Sequence, residues 1–330
     1  MKHTAEVRPG FPDGGEPGTP LTKAIRSGGS EMKDFIRYAR RLAKPFRVTD
    51  GSRFRLRDVD PGETLDLRAA DKPRAQVALA RGIEVLATLQ DRLYAEGRWA
   101  VLLIFQAMDA GGKDGAIKHV MSGVNPQGCQ VFSFKVPTSV DLAHNYLWRC
   151  MQCLPERGRI GIFNRSYYEE TLVVRVHPEL LERQRMPARL VSKRIWKERF
   201  EDIRHFERFL TRNGVAIRKF FLHVSKREQK QRFLERLEDP DKSWKYSAAD
   251  VRERGYWQEY MAAYEDTIRH TASDYAPWYV VPADNKWFTR VVVAAATIEA
   301  LDSLDLKYPE LGSGQKRALA AARRALAGDR

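Results

Sequence analysis

Residues Val101–Gly115 read Val-Leu-Leu-Ile-Phe-Gln-Ala-Met-Asp-Ala-Gly-Gly-Lys-Asp-Gly. An unbroken apolar run of β-branched and aromatic residues suits a strand covered on both faces, as in a parallel sheet. A glycine-containing turn and a lysine then open a helix-forming segment from Ala116 to Met121. Strand, turn, lysine and helix in that order form the layout of a phosphate-binding loop, in which backbone N–H groups and a helix N-terminus face an anion. The register is Ala107–Asp114, with Gly112 and Lys113 on the usual G-x-x-x-x-G-K-[ST] pattern. Two positions depart from it. Ala107 stands for the first glycine, and Asp114 for the Ser/Thr that holds Mg²⁺.

The rest of the chain supports an α/β reading. Strands are predicted at Val101–Phe105, Gln130–Phe134, Arg159–Phe163, Val215–Val224 and Trp278–Val281. Helices are predicted between them: Lys113–Ser122, Val140–Leu154, Arg189–Leu210, Lys226–Leu237, Asp250–His270 and Asn285–Leu301. A further helix from Asp71 carries Leu79, Ile83, Leu86, Leu89 and Leu93 as a core-facing stripe. Alternation of this kind implies a central parallel sheet with right-handed crossovers and ligands at the carboxyl ends of its strands. Residues 1–30 read as a disordered leader rich in Gly and Pro, 31–70 as an N-terminal extension, 71–305 as the main domain, and 306–330 as a basic tail.

Charge narrows the partner. Lys+Arg 57 against Asp+Glu 43 leaves +14, a balance suited to nucleic acid, an acidic membrane or a phosphate polymer. It also suits a merely basic solvated surface. No RNA-binding, zinc or helix-turn-helix pattern accompanies the charge, so nucleic acid is not the expected partner. No apolar run approaches the roughly 18 residues a membrane span needs. Three cysteines, Cys129, Cys150 and Cys153, are too few and too odd for a disulfide framework. With no signal-type apolar core at the N-terminus, they point to a cytoplasmic setting.

Candidate chemistry clusters in three places. Asp109 sits inside the loop, where a carboxylate would repel phosphate unless a cation intervenes. It is therefore a candidate Mg²⁺ ligand or base, or else a helix cap. The second cluster, Ile160–Glu169, places Asn164 where a Walker B carboxylate is usual. Arg165 follows for a transferring phosphoryl group, and Glu169, one turn on, is a candidate metal-supporting carboxylate. Third is a basic run, Arg175, Arg183, Arg185, Arg189, Lys193, Arg194, Lys197 and Arg199, read as a helical lid over about 175–205 with Arg175 nearest the site.

Together these residues resemble the polyphosphate kinase 2 family, and within it the subgroup that phosphorylates both AMP and ADP. The resemblance rests on Met108–Gly115, Val124-Asn125-Pro-Gln-Gly128, Ile162–Glu169, Ala276-Pro-Trp278 and Val281–Lys286. The family's own loop carries the inner Asp and ends in Asp or Gly, which leaves Ala107 as the remaining departure. The resemblance implies a P-loop kinase-like three-layer fold with a helical lid, and Mg²⁺-dependent transfer between inorganic polyphosphate and adenine nucleotides. It implies that Lys113, with Ala110, Gly111, Gly112, Asp114 and Gly115, holds phosphate, that Asp109 binds the metal or orients the acceptor phosphate, and that Glu169 supports the metal or the nucleotide. Arg165 and Arg175 would stabilise the transferring group, and Asn125 and Asn164 would lie along the nucleotide. A homo-oligomer is expected. The competing readings are an ATP-dependent nucleotide or small-molecule kinase and a non-catalytic polyanion-binding protein.

Overall fold

A computed structural model describes residues 30–65, 67–241 and 248–328. The leader read over residues 1–30 lies outside the described residues, apart from Ser30. In chain order the helices and strands are α1 (Ser30–Ala43), β1 (Arg47–Val48), α2 (Lys72–Glu96), β2 (Ala100–Gln106), α3 (Lys113–Val120) and β3 (Cys129–Ser133). Two short helices follow, α4 (Ser139–Leu142) and α5 (Trp148–Met151), then β4 (Ile160–Asn164), α6 (Val173–Val176) and α7 (Ile195–Arg212). The chain closes with β5 (Val215–His223), α8 (Lys226–Glu238), α9 (Ala248–Glu253), α10 (Trp257–Thr271), β6 (Trp278–Pro282), α11 (Lys286–Asp302) and α12 (Ser313–Gly328).

The strands form one sheet in the order β1-β6-β5-β2-β4-β3. All pairings are parallel except β1 with β6. Every residue of β2 is buried, Gln106 included, as the apolar run Ala100–Phe105 requires for a strand covered on both faces. Helices α1, α2, α3 and α11 pack together on one face, and α7 and α10 on the other, giving three layers. The chain runs from β2 to β3 and β4 on one side and then to β5 on the other. The strand order therefore reverses at β2, and a crevice opens beyond its carboxyl end.

The five predicted strands are present within one residue at each end. The sheet is not wholly parallel, however. Residues 31–70, set apart in the sequence as an extension, contribute α1 to a helical layer and β1 to the sheet edge, with Leu42, Phe46 and Leu56 in the common core. Three predicted helices are interrupted for local reasons. Val140–Leu154 divides into α4 and α5 where the Asn145 side chain accepts from the Leu147 N–H (3.1 Å). The helix predicted from Arg189 begins at Ile195, after Ser192 accepts from the Arg194 N–H (3.1 Å). The Asp250–His270 helix breaks into α9 and α10 around Gly255. Such side-chain turns offer the backbone a partner outside the helix.

Candidate active site

The loop between β2 and α3 turns on two left-handed residues, Ala110 (φ 59°) and Gly112 (φ 99°). Gly111 fills a place where a Cβ would lie 2.6 Å from the Ala107 Cβ and 2.8 Å from the Met108 carbonyl oxygen. This packing accounts for Ala107. Its backbone is not left-handed, so it needs no glycine, and its methyl occupies space that glycine at 111 leaves open. Lys113 opens α3 and curls back so that Nζ donates to the Ala107 carbonyl (2.8 Å). Burial pushes the Lys113 ammonium down to about 8; Arg165 adds to the fall, while Asp109, Glu169 and Asp114 oppose it.

The second motif meets the loop at the end of the adjacent strand β4. Arg165, also left-handed (φ 64°), is held by its N–H to the Phe105 carbonyl (3.0 Å). Its guanidinium donates to Asp109 Oδ1 (2.5 Å) and Glu169 Oε2 (3.0 Å). Glu169 first, and Asp109 with it, drive Arg165 still further toward its charged form. With its amide oriented to satisfy both neighbours, Gln106 donates to Glu169 Oε1 (2.9 Å) and accepts from the Ser166 hydroxyl (3.1 Å). Asn164 donates to Asp114 Oδ1 (2.7 Å), closing a second link between the two motifs.

A cavity of about 720 Å³ opens over this junction. Lys113, Arg165, Lys135, Arg232, Arg236, Lys286 and Arg290 line it, against the carboxylates of Asp109, Asp114, Glu235 and Asp250. Of the predicted site residues, Asp109, Ala110, Gly111, Gly112, Lys113, Asp114, Gly115, Asn164 and Arg165 are in its wall. Glu169 is not; it stands behind Arg165 as its partner. Asn125 is also outside the wall and accepts from the Gln127 N–H (3.0 Å), capping a short turn. Arg175 is turned away, paired with Asp266 (2.5 Å) and lying over the Phe200 ring.

No residue of 175–205 lines the cavity. Arg199, at the end of the basic run, is a buried strut bound to Glu170 and to Gln184 Oε1 (2.6 Å). The walls are instead built by α8 and α9, joined through Arg236 and Asp250 (3.4 Å), and by the start of α11. Arg232 is the main residue that motif reading missed. Only 6% exposed, it donates to the carbonyls of Ala110 (3.1 Å), Ala283 and Asp284 (3.2 Å), and so ties the phosphate loop to the end of β6. Its sequence signal was its place, with Arg236, one turn apart on the helix after a core strand.

Asp109 and Asp114 offer oxygen ligands at the cavity wall, the donor type Mg²⁺ prefers. Among the described residues no group of three or more His, Cys, Asp and Glu could hold a metal unaided.

A mainly parallel sheet with a lysine-bearing phosphate loop at its switch point, facing a cation-rich cavity, defines a P-loop kinase-like protein. The family model for polyphosphate kinase 2 matches residues 69–309, and the chain belongs to that family. An ADP-polyphosphate phosphotransferase of Rhodopseudomonas palustris is 49% identical over 287 residues, 86% of this chain and 98% of the relative. An AMP/ADP-polyphosphate phosphotransferase of Meiothermus ruber is 46% identical over 267 residues, 81% of this chain and 96% of the relative. The crystal structure of polyphosphate kinase 2 from Arthrobacter aurescens TC1 superposes with a TM-score of 0.76 at 39% identity, covering 85% of this chain and 96% of that one.

Proposed function

We propose that the cavity transfers the terminal phosphoryl group of inorganic polyphosphate to AMP or ADP, forming ADP or ATP, and that the reaction runs in both directions. The observation that carries this reading is the seven cations gathered around one phosphate loop, outnumbering the four carboxylates in the same wall. A site that must hold two polyanions end to end needs that excess. Phosphoryl transfer needs alignment and charge neutralisation more than acid–base chemistry. In the forward direction the terminal P–O–P bond of the polymer breaks. A new P–O bond forms to the terminal phosphate oxygen of the nucleotide, and the polymer leaves one unit shorter.

The chain's residues divide this work. Lys113 exchanges its bond to the Ala107 carbonyl for a phosphate oxygen. The N–H groups of the 110–115 loop hold the same phosphate. Arg165, fixed by Asp109 and Glu169, presents its guanidinium to the charge that builds on the group in flight. Asp109 would hold Mg²⁺ at the cavity wall, where the ion would supply further neutralisation of phosphate charge. Three free cysteines, Cys129, Cys150 and Cys153, support a reducing, cytoplasmic setting, and no helix among the described residues is long and apolar enough to cross a membrane. We further propose a homo-oligomer, to be tested by light scattering.

The test is to incubate purified protein with Mg²⁺ and polyphosphate and either AMP or ADP. ADP and ATP should form, and folded protein giving neither would end the proposal. Lys113→Ala separates enzyme from binder, since an enzyme loses activity by orders of magnitude while keeping its fold. Transfer from ATP to a small acceptor without polyphosphate would favour an ATP-dependent kinase instead.

A further inference from the structure

Directly behind Arg165 lies a fully buried charge cluster that the transfer chemistry does not use. The turn Tyr167–Glu170 follows β4, with Ser166 Oγ accepting from the Tyr168 N–H (3.1 Å). The hydroxyls of Tyr167 (3.0 Å) and Tyr168 (2.6 Å) both donate to Glu207 Oε1 on α7. The other oxygen of Glu207 accepts from Lys219 Nζ of β5 (2.6 Å). Lys219 donates as well to the Tyr168 hydroxyl (3.1 Å) and the Thr271 carbonyl (2.8 Å). Both charged side chains are 0% exposed. Burial raises the Tyr167 and Tyr168 hydroxyls well above their usual range, so they remain donors.

Two turns back along the same face of α7, beyond buried Ile203, Arg199 binds Glu170 of the same turn. Helix α7 therefore offers a cation and an anion in a row, i and i+8, and the turn answers each with the opposite chemistry. Burying an ion pair is a poor way to gain stability, because well-packed apolar groups do as well or better. What such a pair does supply is a single register. The turn has to be fixed because it carries Glu169, and just ahead of it Arg165 stands in a left-handed conformation that costs free energy.

We propose that Glu207 and Lys219 are positioning residues for phosphoryl transfer. Through the two tyrosine hydroxyls they lock the Tyr167–Glu170 turn against α7, and so hold the Arg165 guanidinium at the cavity. This rests on the transfer reaction proposed above for the same site. None of the four residues lines the cavity, so their effect is on geometry and not on contact with substrate.

The double variant Tyr167→Phe/Tyr168→Phe tests it, since both rings stay packed and only the tethers go. The expected result is a fall in kcat of at least about tenfold with KM for nucleotide and polyphosphate unchanged within about twofold, in protein whose circular dichroism matches the wild type. A crystal structure of that variant should show Arg165 displaced from Asp109 and Glu169. If the double variant does not fold, Tyr168→Phe alone and Glu207→Met/Lys219→Met, which removes the acceptor of both tyrosine hydroxyls, carry the same expectations. Folded variants that keep kcat within about twofold and keep Arg165 on both carboxylates overturn the proposal. Should the wild type show no transfer activity, the functional reading falls, and the position of Arg165 in the variant structure still decides the structural claim.

Discussion

The sharpest handle on the site is the protonation of Lys113. Its ammonium is buried among few solvent dipoles and lies beside Arg165, and together these bring it from 10.5 down to about 8 despite three nearby carboxylates. A phosphate needs the charged form. Each pH unit above about 8 then removes about nine-tenths of the charged lysine still present in the free enzyme. So kcat/KM, which reports the free enzyme, should be level to about pH 7.5 and fall about tenfold between pH 8.5 and 9.5. Bound phosphate favours the charged amine, so the corresponding limb in kcat should move to higher pH. Initial rates at constant ionic strength and saturating Mg²⁺, with nucleotide far below and then far above KM, measure both limbs. Lys113→Arg keeps a permanent charge, and whatever activity remains should lack the limb. Stability should run the other way. Below about 8 the lysine is charged in both folded and unfolded chains, and its burial penalty is fully present. Between about 8 and 10.5 the unfolded chain binds the proton more tightly, so this contribution to stability rises with pH. A kcat/KM profile flat to pH 9.5, or the same limb persisting in Lys113→Arg, would refute the reasoning.

Other outcomes follow from the packing around the loop. Arg232→Met should cost about 2–4 kcal/mol in urea unfolding, because it strands the carbonyls of Ala110, Ala283 and Asp284, and transfer activity should collapse with it. Gly111→Ala forces a methyl to within 2.6 Å of the Ala107 Cβ, and overpacking of that kind costs about 1–3 kcal/mol. Ala107→Gly, by contrast, should leave kcat/KM within about twofold, since nothing at that position requires a left-handed residue. His223 predicts acid lability: burial depresses its imidazole from 6.5 to about 4, against the opposing pull of Asp284 and Asp60. Its stabilising contribution is present above 6.5 and lost as pH falls toward about 4. The loss is at most about 3 kcal/mol, read as a urea midpoint at pH 7 and pH 4.5 that differs less in His223→Phe than in the wild type.

What the sequence made legible was whatever local chemistry determines. The β2 strand could be read because six consecutive apolar residues, Ala100 to Phe105, precede its one polar residue, Gln106. The phosphate loop could be read because its lysine, glycines and carboxylates are adjacent in the chain. Interrupted helices were not legible in the same way. Asn145 and Ser192 are ordinary polar residues until their side chains accept from the backbone two positions on, and periodicity sees only the apolar stripe. The β1 edge strand is two residues long, below any pattern length, and exists only because β6 presents a free edge to it.

The basic run after β4 separates two kinds of arginine in this chain. Adjacency suggested that Arg175 and its neighbours cover the site. Yet Arg175 finds Asp266 and Arg199 finds Glu170, carboxylates that the sequence places 91 and 29 residues away. Both guanidinia lie outside the cavity wall, Arg199 bound to a buried carboxylate and Arg175 to a partly exposed one. Besides Lys113 and Arg165, the cations facing the cavity come from β3's end and from the helices after β5 and β6, where the crossovers of a parallel sheet return every strand's carboxyl end to the same side. Sequence order ranks candidates by distance along the chain, whereas the fold ranks them by which end of the sheet they reach. For Lys286, Arg290 and Arg236 the second ranking is the one that counts, and each could have been named from topology alone, by asking which cations follow a parallel strand within about four turns of helix.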